Sequence, residues 1–183
     1  MSITTKEGDD GFTDFIGSNG NIGRVRKDHP IIEVLGSLDE LDANLALCEI
    51  ALQSDGNGHF SGLIKKARKE LFISDSHLNT NWLEQQILEL EKENPIQDFV
   101  RTWTNITAAT INAARTICRR CERAMIYAEA SSSAETGKNL KITVPSSLHW
   151  LNRLSDLLFL LAVSAERTAV KKITQIHSDH QPI

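Results

Sequence analysis

Cysteine is scarce in this chain, with three among 183 residues. Cys48, Cys118 and Cys121 are too few and too oddly numbered for the disulfide framework of a secreted scaffold. Cys118 and Cys121 lack a second ligand pair at zinc spacing, so reduced, packed thiols are expected. Long apolar runs are missing too. The longest aliphatic stretch, Leu157 to Val163, falls far short of the roughly 20 residues that span a bilayer. The start Met1-Ser2-Ile3-Thr4-Thr5-Lys6 has no apolar core of a signal peptide, so the expected location is the cytoplasm, away from membranes. Nor is there an excess of positive charge. Twenty Lys and Arg against 24 Asp and Glu leave a net charge of −4, which argues against a general nucleic-acid binder. With only four prolines, 40% apolar and 24% charged residues, the chain reads as a single globular domain over residues 1–183 with enough length to bury a core.

Glycine is unevenly placed. Gly8, Gly11, Gly17, Gly20, Gly23 and Gly36 make six of the ten, so residues 1–30 read as loop. From Pro30 onward the apolar spacing follows a period near 3.6 through Leu35, Leu38, Leu41, Leu45, Cys48 and Leu52, which predicts a first helix, and Ser37 with Glu40 fits a capping box. The break Asp55-Gly56-Asn57-Gly58 precedes a second helix marked by Leu63, Ile64, Ala67, Leu71 and Phe72. A third, acidic and mostly exposed, fits Trp82 to Glu93, stopped by Asn94-Pro95. A fourth covers about Thr102 to Ala130, followed by a loop over Ser131 to Gly137. Val144-Pro145-Ser146 reads as the start of a fifth, carrying Leu148, Leu151, Leu154, Leu158, Leu161 and Ala165. Strand-like character is confined to Lys141 to Val144. The expected architecture is an all-α five-helix bundle over 31–175, with a flexible tail at 176–183.

Polar residues on these helices suggest chemistry. Arg115, Arg119 and Glu122 stand at i, i+4 and i+7 on one stripe of the fourth helix. Guanidiniums one turn apart can grip a phosphate chain, with a carboxylate fixing their rotamers; an arginine-rich solvated face with ordinary ion pairs fits equally well. Asn152 shares a helical face with Leu148, Phe159 and Val163, and a buried amide needs a partner in a ligand or a neighbouring helix. Asp39, near a core face, would need an arginine, and Arg115 is the natural candidate. In the N-terminal segment Thr5-Lys6-Glu7-Gly8-Asp9-Asp10-Gly11-Phe12-Thr13, backbone amides beside glycine can cradle phosphates and an aspartate can hold Mg²⁺. It is not a Walker loop. Arg24, Arg26 and Lys27 add cations before the first helix. His177 and His180 are expected to bind nothing, no glutamate has the histidine three residues on that a di-iron bundle needs, and no set of metal ligands can be named.

In order along the chain, these blocks resemble the PduO-type ATP:cob(I)alamin adenosyltransferases. The matching blocks are Thr5-Lys6-x-Gly8-Asp9-x-Gly11-x-Thr13, Arg24-Val25-x-Lys27-Asp28, and Glu33-x-x-Gly36-x-x-Asp39-Glu40-Leu41. Two more follow, Ala114-Arg115-Thr116-x-Cys118-Arg119-Arg120-x-Glu122-Arg123 and Leu151-Asn152-Arg153-Leu154-Ser155-Asp156-Leu157-Leu158. The resemblance implies a five-helix bundle assembled as a homotrimer, with ATP held between subunits and residues 1–30 wrapping its triphosphate. The implied reaction is attack of the cobalt(I) of reduced cobalamin on the 5′ carbon of ATP. Such chemistry requires orientation, charge neutralisation by arginine and Mg²⁺, and exclusion of water in place of a protein nucleophile.

By the same resemblance Arg119 contacts the triphosphate, and Glu122 and Asn152 help hold the nucleotide. Thr5, Lys6, Gly8, Asp9, Gly11, Thr13, Arg24 and Lys27 belong to the phosphate loop. Asp39 and Arg115 match a salt bridge near the cobalamin site, and Phe99 matches the aromatic that displaces the cobalamin's lower ligand. A flavoprotein reductase and an adenosylcobalamin-dependent enzyme are implied partners. The chain departs from the family pattern in three places. Glu7 stands where a threonine is usual, Arg101-Thr102-Trp103-Thr104 replaces a Pro-Gly-Gly turn, and residues 17–23 are longer than expected. A carboxylate at position 7 would repel a triphosphate unless a cation bridges them. Two other readings therefore stand beside an active enzyme: a relative that binds ATP or cobalamin as carrier or sensor, and a bundle whose polar stripes only mediate subunit contacts.

Overall fold

The computed structural model describes residues 4, 6–16, 22–73, 78–96, 103–134 and 147–179. Pro30 opens helix α1 (Pro30–Ser54), where a missing N–H costs nothing, and the preceding His29 accepts the Ile31 amide on Nδ1 at 3.2 Å. The expected capping box is not used. Ser37 is buried inside the helix, and its hydroxyl faces Glu33 at 3.5 Å. Ile31, Val34, Leu38, Leu41, Leu45, Cys48 and Leu52 recur at three- and four-residue steps and are all buried, the stripe expected of a helix packed along its whole length. At its end Gly56 adopts φ +75°, a left-handed conformation that halts the helix, and the Asn57 amide returns to the Leu52 carbonyl at 3.0 Å.

Helices α2 (Gly58–Glu70), α3 (Asn81–Glu93), α4 (Ile106–Ala134) and α5 (Leu148–Asp179) complete a five-helix arrangement among the described residues. The extensive packing is of α1 on α4, α4 on α5, α2 on α1 and α3 on α5. Contacts between α1 and α4 pair Ser37 with Cys121 and Ala51 with Thr107, so the two run antiparallel. Small buried residues on α4, Ala108, Ala114, Cys118, Cys121 and Ala128, let both neighbours approach closely. Leu154, Leu157, Leu158 and Leu161 of α5 fill the far side. Truncating any one of these leucines to alanine would cost about 2 to 5 kcal/mol. The acidic α3 is fastened more firmly than its composition suggests. Leu83 and Leu90 are buried, and Glu70 at the end of α2 accepts both indole N–H groups, Trp82 at 2.8 Å and Trp150 at 3.2 Å.

Three expectations are corrected. The segment before Pro30 is not all loop: β1 (Phe12–Ile16) and β2 (Ile22–Arg26) form an antiparallel hairpin with Phe12 opposite Arg26 and Ile16 opposite Ile22. Phe15 is buried and Val25 packs on the core, an inward pair that anchors the hairpin to the bundle. The fourth helix continues through Ala134 into the expected loop. The fifth runs to Asp179, through part of the expected tail, and starts at Leu148, with the Ser147 hydroxyl accepting the Trp150 amide at 3.0 Å. The strand-like stretch 141–144 and the proposed helix start 144–146 lie outside the described residues. No described helix is long and apolar enough to cross a membrane.

Candidate functional site

Two polar regions emerge, one on the segment leading into the hairpin and one along α4 and α5. In the first, Lys6 has φ 62°, a left-handed backbone rarely taken by a side-chain-bearing residue. The chain then turns tightly, with the Asp9 amide to the Lys6 carbonyl and the Gly11 amide to the Gly8 carbonyl, each at 3.3 Å. Gly11 has φ +82°, and the Lys27 amide closes the turn on its carbonyl at 2.9 Å. Gly8 makes room for a different reason. A Cβ there would lie 2.9 Å from Lys27 Nζ, so glycine lets the ammonium lie over the turn. Thr13 sits just beyond, on β1 opposite Val25.

Arg24 plays a part that sequence reasoning assigned to ligand binding. Its guanidinium donates to Asp10 at 2.7 Å and to the Glu7 carbonyl at 2.9 Å, with Asp14 at 3.7 Å. These bonds hold Asp10 below the ordinary carboxylate range and Arg24 above its ordinary value, each chiefly through the other's hydrogen bond. Arg24 is thus a strut of the loop. Asp10 and Asp14 complete it; the signal that could have found them is their two-residue alternation with strand positions across from Arg24. Arg26 is likewise committed, donating two bonds to Asp28 at 2.9 and 2.7 Å. Among the described residues Lys6, Lys27 and Asp9 make no ion pair.

In the second region the stripe on α4 forms as expected. Glu122 and Asn152 meet: the amide donates to Glu122 Oε1 at 3.3 Å across the α4–α5 contact. The neighbouring helix therefore supplies the partner that Asn152 needed. Arg119, one turn toward the start of α4, is exposed, and its guanidinium has no hydrogen-bond or ion-pair partner among the described residues. Arg115, half-buried, donates to Asn112 Oδ1 at 3.0 Å and lies over the Phe159 ring at 5.8 Å. The fold thus lines the α4–α5 seam with an acceptor–amide pair, a cation unpaired among the described residues and a cation resting on an aromatic face. Such a seam suits a polyanion with an attached planar base or an apolar cofactor.

Asp39 and Arg115 are not brought together within the chain. Arg115 faces α5, whereas Asp39 is exposed on α1. The ion pair that joins α1 to α4 is Glu40 with Arg120. Thr5 and Phe99 lie outside the described residues. The thiols are inert in this fold. Burial pushes Cys48 up to about 12, Cys121 up to about 11 and Cys118 well above its ordinary value. Cys118 and Cys121 direct their S–H groups at the Leu151 and Ser37 carbonyls at 3.2 and 3.0 Å. No group of three His, Cys, Asp or Glu side chains that would hold a metal ion occurs among the described residues.

A family model described as cobalamin adenosyltransferase matches residues 3–165. The corrinoid adenosyltransferase PduO of Citrobacter freundii is 28% identical across 92% of this chain and 51% of its own length. This chain therefore spans about half the length of the first curated relatives it matches. The corrinoid adenosyltransferase of Bacillus subtilis is 30% identical over 88% of this chain and 85% of its own. Among solved structures, a variant PduO-type ATP:corrinoid adenosyltransferase from Lactobacillus reuteri complexed with cobalamin and ATP superposes with a TM-score of 0.70 at 24% identity, covering 91% of each chain. A second variant, complexed with ATP, gives 0.62 at 25% identity over 91% of this chain and 94% of that one.

Proposed function

This chain belongs to the cobalamin adenosyltransferase family, and on that premise we propose that it transfers the 5′-deoxyadenosyl group of ATP to the cobalt of cob(I)alamin, giving adenosylcobalamin and triphosphate. Cobalt(I) supplies the electron pair of the new cobalt–carbon bond, the C5′–O bond breaks, and its pair leaves with the triphosphate. The protein needs no nucleophile of its own. It must hold two substrates in line, meet the charge developing on the leaving group, and keep water out.

The observation that carries the reading is Arg119, exposed on the α4–α5 seam with no partner among the described residues and one turn from the paired Glu122 and Asn152. A guanidinium left unpaired beside a pre-ordered carboxylate–amide pair supports a role in gripping an anionic substrate. Asn152 and Glu122 hold the nucleotide, and Lys6, Gly8, Gly11, Thr13 and Lys27, with Thr5, form the phosphate loop. MgATP brings its own cation. Asp9 is the loop carboxylate that would meet this Mg²⁺, which would supply further neutralisation of the leaving triphosphate. Arg115 and Phe159 lie toward the corrinoid.

Glu7 favours the second reading, a carrier or sensor that binds without turnover. In the structure Arg24 holds the Glu7 backbone carbonyl, while its guanidinium is paired first with Asp10. Assembly is the remaining element. Among the described residues the hairpin has no extensive packing on α4 or α5, which supports a site completed by the loop of another copy. Leu47 and Ile50 of α1 and Ile106 of α4 are exposed large apolar side chains, surface that a second copy could cover. Both support a homotrimer with ATP between subunits. The free thiols suit a reducing cytoplasm, where a flavoprotein reductase would supply cob(I)alamin and an adenosylcobalamin-dependent enzyme would take the product.

The test is Arg119→Ala. Loss of one preorganised charge contact is expected to cost about 2 to 4 kcal/mol of transition-state stabilisation in kcat/KM, with the fold unchanged. A loss below about tenfold would contradict its role.

A further inference from the structure

Asn152 can meet a nucleotide only if the start of α5 is held at one rotation, because the helix repeat ties the direction of each side chain to its neighbours. A helix start is the part its own ladder holds least, since the first four N–H groups have no partner within the helix. In α5 the Ser147 hydroxyl and carbonyl take the Trp150 and Leu151 amides, each at 3.0 Å. Side chains supply the rest. Trp150 is fully buried, and a buried indole needs a partner for its N–H. That partner is Glu70, the last residue of α2, whose Oε2 accepts Trp150 Nε1 at 3.2 Å and Trp82 Nε1 of α3 at 2.8 Å.

Trp150 and Asn152 are two residues apart, which sets them about 200° apart around the helix axis. The Trp150 tie therefore runs to α2, while on the other side the Asn152 amide reaches Glu122 of α4 at 3.3 Å. Between them the Leu151 carbonyl accepts the Cys118 S–H of α4 at 3.2 Å. Three successive residues of α5 are thus held from two sides. Glu84 of α3 also faces this turn, but it lies 3.5 Å from Arg153, which bonds Asp156 more closely at 2.7 Å, and these side chains are partly solvated. Such pairs hold little. Among the described residues α2 has no extensive packing on α3 or α5, so Glu70 ties α2 to two helices that it does not otherwise grip. We propose that Glu70 is a positioning residue of the nucleotide site: by holding the Trp150 indole it sets the rotation of the α5 start and so aims the Asn152 amide. This rests on the function proposed above. Without Glu70 the buried Trp150 N–H loses its acceptor, and a turn that rotates to find another carries Asn152 with it.

The experiment measures MgATP affinity in the full-length protein by equilibrium dialysis, with no corrinoid present. Glu70→Leu removes the acceptor and is expected to weaken binding by about tenfold, within the range for a displaced site group. Glu70→Gln, whose amide oxygen still accepts indole N–H groups, should stay within about threefold of wild type. A general loosening of the fold would add to any other change, whereas an effect that passes through Asn152 vanishes once that side chain is gone. In an Asn152→Ala background Glu70→Leu should therefore weaken binding by less than about twofold further. Trp150→Phe keeps the ring and removes only the N–H; it should reproduce the loss and the coupling, and it decides the question if Glu70→Leu does not fold. Unchanged affinity in Glu70→Leu or Trp150→Phe, a Glu70→Gln as weak as Glu70→Leu, or the full loss repeated in the Asn152→Ala background would each overturn the assignment. Wild-type protein that binds no MgATP would instead overturn the function itself, and this inference with it.

Discussion

Arg119 and Arg24 have the same side chain and opposite fates, decided by neighbours. Asp10 and Asp14 satisfy Arg24, while Arg119 extends from α4 without a partner among the described residues. Spacing revealed the stripe of Arg115, Arg119 and Glu122, because three- and four-residue steps on a helix fix the face whatever it packs against. It did not reveal that Arg24 would be a strut, since that depends on a strand register invisible in residues 1–30 taken as loop. Nor could it separate Asp39 from Glu40: adjacent carboxylates differ by about 100° around a helix, and only the placement of α4 shows that Glu40 meets Arg120. The cysteines give a prediction at this scale. With all three thiols buried and raised, native protein at pH 8 should leave them unmodified by a thiol reagent that labels all three on denaturation. Fast labelling of the native protein would contradict the packing of α4.

The helices were legible because their apolar periods are long, and the hairpin was missed because its strands are five residues each between glycines. The signal was present in Arg24-Val25-Arg26, whose alternation sends Val25 inward and both arginines outward, but so short a run competes poorly with glycine as a loop marker. Start signals misled for a related reason. Ser37 and Glu40 have capping-box spacing, yet the apolar stripe already runs from Ile31, and burial along the whole stripe outweighs one local motif. The start of α4 is fixed from outside by Glu166 of α5. Desolvation raises that carboxyl, but the Thr104 and Asn105 hydrogen bonds outweigh it, so its folded value lies below the ordinary 4.5. A lowered folded value means stability that is present above pH 4.5 and lost as pH falls through the folded value. Replacing Glu166 by Gln should therefore destabilise by about 1 kcal/mol near neutrality, the scale of lost charge-assisted bonds. The difference from wild type should shrink below pH 4.5 in denaturant melts. A difference independent of pH would show that the charge on Glu166 is irrelevant to the α4 start.

At the scale of the molecule, the hairpin has no extensive packing on α4 or α5 among the described residues, and the proposed trimer joins the loop of one subunit to the Arg119 seam of the next. This makes a prediction that a single-chain site does not. Lys27→Ala and Arg119→Ala proteins, each impaired alone, should recover activity when dissociated and reassembled together, because mixed interfaces then include one wild-type site. Recovery absent from reassembled mixtures would place the whole site in one chain. The bundle itself could be read from sequence because its core is periodic. Which apolar residues stay uncovered could not, because Leu47, Ile50 and Ile106 cannot be told from core positions until the helices pack and leave them exposed.

The most direct test of the account is made without oxygen, with purified protein, MgATP and chemically reduced cob(I)alamin, following the visible spectrum. The account predicts photolabile adenosylcobalamin formed over many turnovers, with one triphosphate released per product. Saturable ATP binding with no cobalt–carbon bond formed would contradict it and leave a carrier or sensor; neither binding nor product would leave a helical bundle that shares only the family's fold.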